Sequence, residues 1–148
     1  MSTEESSGDV VSVGGDIDRV KVSLRFFGDD LNPNDVSALL GCQPTEGYCK
    51  GEVMIGKRSH RVAHTGLWLL KGLEEDVGVL ETKVSRLLDR VPAEPDAFQA
   101  LSSFNGNVFC GVFLNDWNRG FSLSPEIMQR LTERKLSIHF DIYSNDYF

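Results

Sequence analysis

Two segments of this chain are written on one plan. Leu31-Asn-Pro-Asn-Asp-Val-Ser-Ala-Leu39 and Leu123-Ser-Pro-Glu-Ile-Met-Gln-Arg-Leu131 both read leucine, small polar residue, proline, two residues, an apolar residue, two more, leucine. The polar residue before each proline is placed to accept from the free N–H groups of a first helical turn, and the proline's fixed φ suits the position after it. Each segment lies beside an apolar run with strand character. Two strand–helix–strand halves built alike are the arrangement this echo most directly implies.

Taken in order, residues 20–26 alternate apolar and polar, placing Val20, Val22, Leu24 and Phe26 on a buried face and Lys21, Ser23 and Arg25 on the other. After the turn at Gly28-Asp29-Asp30, Asn32 caps a short helix that reaches Leu40 and stops at Gly41. Between Cys42 and Thr65 the periodicity is lost, and partial β structure is expected around residues 52–55 and 58–62. Residues 66–71 form the next strand, with Trp68 in the core. Leu73, Val77, Leu80, Val84, Leu87, Leu88 and Val91 mark a five-turn helix, Glu74, Glu75 and Asp76 in its first turn and Arg86 and Arg90 near its end. A short helix over 96–104 turns Phe98 and Leu101 inward. The unbroken apolar run 108–114 reads as a central strand holding an inert Cys110, and a last strand turns Ile138, Phe140 and Ile142 in and His139 and Asp141 out.

These elements predict an α+β fold, a ferredoxin-like two-layer sandwich with one sheet and its helices on one face. A chain of 148 residues suits one domain, here residues 18–148 behind an acidic, Ser- and Gly-rich tail at 1–17 expected to be disordered. Of the formal charge of −7, Glu4, Glu5, Asp9, Asp16 and Asp18 supply five units, leaving −2 for the rest. So nearly neutral a body lacks the basic face that displaces counterions from phosphates, and nucleic acid is not expected as a partner. Nor is a membrane, since no run approaches the roughly 20 apolar residues of a span. Three cysteines without zinc or redox spacing, behind a start that is no secretion signal, point to reduced thiols in the cytoplasm.

With Ser23-Leu-Arg-Phe-Phe-Gly28, Leu39-Leu-Gly-Cys-Gln-Pro-Thr45, Lys50-Gly51, Thr65-Gly-Leu-Trp68, Gly120-Phe-Ser-Leu-Ser-Pro125 and residues 136–143 in view, the chain resembles the family known as domain of unknown function 4279. The resemblance covers about residues 20–143. It implies a bacterial origin and brings no activity, substrate, cofactor or catalytic residue.

The residues offer two sets of candidates and no catalytic set or metal signature. For a protein partner there are Trp117 and Arg119 in a polar loop, Lys50 and Arg58 in the basic 50–61 run, and Arg25, His139 and Asp141 on the outward sheet face. For a small ligand or a metal there are the paired carboxylates Asp29 and Asp30 and the imidazoles His60 and His64. The first set predicts a non-enzymatic interaction or regulatory module, one able to neutralise or regulate another protein. The second predicts a ligand-binding domain, extending to a hydrolase. The chain is expected to be a monomer or a homodimer joined through the sheet face or its edge, with no cofactor.

Overall fold

The computed structural model describes residues 19–56, 58–76, 78–115 and 119–144. The expected tail at 1–17, Val77, Trp117 and the last residues, 145–148, lie outside them.

The elements run β1 (Arg19–Gly28), α1 (Pro33–Leu40), β2 (Glu46–Tyr48), β3 (Val53–Ile55), β4 (His60–Val62), β5 (Gly66–Lys71), α2 (Leu80–Asp89), a 3₁₀ helix (Pro95–Leu101), β6 (Asn105–Leu114), α3 (Pro125–Glu133) and β7 (Ser137–Ser144). The two echoed segments are α1 and α3. Asn32 accepts from the N–H of Asn34 and Ser124 from that of Ile127, each ahead of a proline in the first turn. Gly41 ends α1 in the left-handed region at φ 77°, where only a residue without Cβ is unstrained.

Five strands form one sheet in the order β2-β5-β1-β6-β7, and β3 and β4 form a separate hairpin. β1 is antiparallel to both β5 and β6, whereas β7 runs parallel to β6 after the α3 crossover. The five-stranded sheet carries its helices on one face as expected, but the expected single sheet is corrected, since β3 and β4 pair only with each other as a second, two-stranded sheet. The parallel β6–β7 pair departs from the all-antiparallel sheet of a ferredoxin-like sandwich: the second half returns through a helix to a neighbouring strand, and a crossover of that kind makes neighbours parallel.

Even-numbered residues of β1 and β6, namely Val20, Val22, Leu24, Phe26, Val108, Cys110 and Val112, face the helices and are buried. They meet Val36 and Leu40 of α1, Val84, Leu87 and Leu88 of α2, Phe98 and Leu101 of the 3₁₀ helix and Ile127 and Leu131 of α3 in one core. Trp68 is wholly buried there, its indole N–H donating to Ser37 Oγ at 3.0 Å.

The five-turn helix expected over residues 73–91 is corrected. Among the described residues of this stretch only Leu80–Asp89 are α-helical, with a turn at Glu74 and Glu75 and an extended Val79 ahead of them. Gly78 sits at φ 121°, outside the helical region, and Leu73 and Val79 are each 43% exposed. Glu74, Glu75 and Asp76 therefore precede the helix, and Asp76 instead forms a long ion pair with Arg86 at 3.7 Å. The segment without periodicity contains strand on both sides of Gly51: the β3–β4 hairpin where strand was expected, and β2 at the sheet edge where it was not.

Cys110 is fully buried, and burial pushes its thiol up to about 12. In the unfolded chain the thiol ionises near 9, so between those values the unfolded state has lost a proton that the folded state keeps. Stability is expected to fall by about 1.4 kcal/mol per pH unit above pH 9 from this group. Alkylation at pH 8 followed by mass spectrometry should label the half-buried Cys42 and Cys49 and spare Cys110 until denaturant is added.

Candidate functional site

The sheet face opposite the helices is built from the odd-numbered residues of β1 and β6, and pairing arranges them in rungs. Arg19, Phe113 and Tyr143 form one rung across β1, β6 and β7; Lys21, Gly111 and Asp141 form the next; then come Lys71 of β5 with Ser23, Phe109 and His139. The following rung holds Glu46 of β2, Leu69, Arg25, Asn107 and Ser137. Arg25, His139 and Asp141 thus share one face as expected, but β6 separates β1 from β7 and brings aromatic residues into the middle.

Arginines lie over these rings. The guanidinium of Arg25 is 4.2 Å from the centre of the Phe109 ring and 5.2 Å from that of Phe27. Its Nε donates to Asn107 Oδ1 at 3.1 Å, and Asn107 is only 1% exposed. Burial draws the Arg25 pKa down from its ordinary value, and the amide and two rings replace part of the lost water. On the outer rung, Arg19 sits 4.3 Å from the centre of Phe113, whose other neighbour, Tyr143, is stacked at 5.0 Å and 13° from parallel. The Tyr143 hydroxyl donates to Asp141, which pushes the phenol's pKa up. Between the two aromatic rungs, a Cβ added at Gly111 would stand 3.6 Å from Phe113 and 3.8 Å from Phe109. The rings thus close over the glycine from both sides and join into one strip.

Four cations, Arg19, Lys21, Arg25 and Lys71, stand on this face against Glu46 and Asp141, in a chain whose formal charge is −7. The face is therefore locally basic. Arginine and aromatic side chains are also the types that dominate binding energy at interfaces.

The other candidates lie elsewhere. Asp29 pairs with Lys50 at 3.2 Å, linking the turn after β1 to the loop before the β3–β4 hairpin, and both partners are more than half exposed. Asp30 is exposed in the same turn, Arg58 in the hairpin connection, His60 on β4 and His64 just beyond it. Among the described residues no group of three or more His, Cys, Asp or Glu could hold a metal ion, so these carboxylates and imidazoles do not assemble into one. Arg119 is half-buried in the loop before α3.

A family model described as a domain of unknown function, DUF4279, matches residues 18–145. The chain belongs to this family. The match spans the whole DUF4279 sheet and its helix layer, open face included. No curated protein and no solved structure matches the chain.

Sequence reasoning missed Arg19, Phe27, Asn107, Phe109, Phe113 and Tyr143 as members of this DUF4279 face. The run 108–114 is apolar throughout and reads as a central strand, with nothing in its hydropathy to set one face apart from the other. Its parity carried the missing signal: Val108, Cys110 and Val112 are compact, while Phe109 and Phe113 flank Gly111 on the alternate positions. A strand buried on both faces has no need of that segregation.

Proposed function

We propose that this protein is a non-enzymatic interaction module that binds an acidic surface of a protein partner through the open sheet face. The observation that carries this reading is Arg25, a charged side chain stacked on Phe109 and held by the buried Asn107 on the sheet face opposite the described helices. Held in one geometry before a partner arrives, it loses little further freedom on binding, which favours affinity. Local positive charge on a net acidic protein favours an acidic partner and steers its approach. A protein surface fits better than a nucleic acid. Phe113 already lies between Arg19 and Tyr143, and Phe109 lies under Arg25, so these rings offer little free face for a base to stack on.

The test is quantitative capture from cells of the protein's own source, comparing the wild type with Arg25→Glu and with Arg86→Glu, the same charge change on α2 in the helix layer. A polypeptide retained by the wild type and by Arg86→Glu, and weakened at least about thirtyfold by Arg25→Glu, is the expected result, equivalent to one hot-spot residue. Equal retention by all three, or a polynucleotide as the bound species, would sink the proposal.

A further inference from the structure

β7 is one of the two outer strands of the five-stranded sheet, and among the described residues no strand pairs with its far side. It runs eight residues, Ser-Ile-His-Phe-Asp-Ile-Tyr-Ser, in unbroken register with β6. Strands that stay alone at an edge carry guards such as charged side chains, proline or a bulge; β7 has no proline and no bulge, and its one carboxylate, Asp141, stands on the open face beside His139. On its helix-facing side the layer stops short: Phe140 is 37% and Ile142 54% exposed, although their partners in β6, Cys110 and Val112, are buried. Phe121, packed on Phe140 at 5.0 Å, is itself 42% exposed, and α3 leaves Met128 48% exposed on the same side of the sheet.

What identifies the occupant is the order of side chains. Around Phe140 the strand reads Ile138-His139-Phe140-Asp141-Ile142, a chemical palindrome. We infer that β7 pairs antiparallel with β7 of a second copy about a two-fold axis through Phe140, joining two sheets into one. In this register Phe140 meets Phe140 and Ile138 meets Ile142 twice on the helix side, while His139 meets Asp141 twice on the open face, an imidazole donor against a carboxylate acceptor. Isologous pairing requires this self-complementarity. A slip of two residues one way sets Asp141 against itself, and the other way sets His139 against itself. A slip of one residue pairs Phe140 with Asp141 and turns the apolar side outward. One register therefore satisfies both faces. The joined sheet also doubles the arginine–aromatic strip.

Sedimentation velocity of the full chain over a dilution series tests this in three variants. The wild type should show a species of twice the 16.5 kDa chain mass that dissociates on dilution. His139→Asp, which sets carboxylate against carboxylate at both ends of the palindrome, should weaken association about tenfold or more, and the exchange His139→Asp/Asp141→His should restore it. His139 is exposed and Asp141 half-exposed, so thermal melts of all three at the lowest concentration should coincide. A wild type that is monomeric throughout, or a dimer indifferent to His139→Asp, overturns the inference. So does a monomer whose β7 takes up an unrelated extended peptide.

Discussion

Trp68→Ala is expected to lower the stability of this protein by about 3–5 kcal/mol, read as a fall in the urea midpoint with the slope unchanged. The indole is wholly buried at the centre of β5, edge-on to Phe26 at 6.0 Å. No neighbour is placed to refill its volume: β1 lies beside it in the same sheet, and the helix above is fixed by its own cap. The substitution also strands Ser37 Oγ, 7% exposed in the middle of α1, without the N–H it accepts. Trp68→Phe separates the two effects, since it keeps most of the ring and removes only the donor. Its expected cost is about 1–2 kcal/mol. Domains of this size are stable by about 5–15 kcal/mol, so the alanine variant should be partly unfolded at modest temperature. A loss below about 1 kcal/mol would show that β5 and α1 are not clamped together through this side chain.

Gly66→Ala should cost about 1–3 kcal/mol while Gly111→Ala costs nothing or stabilises slightly, although both glycines lie in strands of the same sheet. At Gly66 the new Cβ would fall 2.7 Å from the Leu31 carbonyl oxygen and 2.8 Å from that of Gly28. Both oxygens belong to backbone in the turn between β1 and α1, and that of Gly28 already accepts from the Leu31 N–H. Leu31 is itself 1% exposed, so the turn cannot slide outward without opening the core. At Gly111 the nearest atoms are ring carbons at ordinary contact distance, and a residue less flexible in the unfolded chain offsets whatever the contact disturbs. Paired thermal melts read the contrast directly. Equal losses at the two positions would mean that the cost comes from strand conformation and not from the close approach of the turn.

Much of the fold could be read from the residues, and the failures have particular causes. The helix predicted from residue 73 began at residue 80 because periodicity ignores what lies opposite an apolar stripe. Leu73 continues the spacing, yet it is 43% exposed, and Gly78 adopts a φ that no helix contains. β2 was invisible because Glu46-Gly-Tyr48 has no alternation of its own and is a strand only through pairing with Leu67, Trp68 and Leu69. The candidate face was half legible: Arg25, His139 and Asp141 followed from alternation on strands that also carry polar residues. The aromatic half was hidden inside an apolar run whose two faces look alike until neighbouring strands are placed.

By itself, then, the sequence determined what depends on neighbours along the chain: where α1 and α3 begin, where α1 ends, and which side of β1 and β7 faces the helices. Caps, proline's fixed φ and the two-residue period of a strand act over a few residues, and they act before any tertiary contact exists. Only the tertiary structure decided the parallel return of β7, the depth to which the helix layer covers it, and the stacking of Arg19 on Phe113 and of Arg25 on Phe109. Those partners are far apart in the chain and meet through strand register. Register in turn is set by burying one face of the whole sheet, a free energy that no single segment carries.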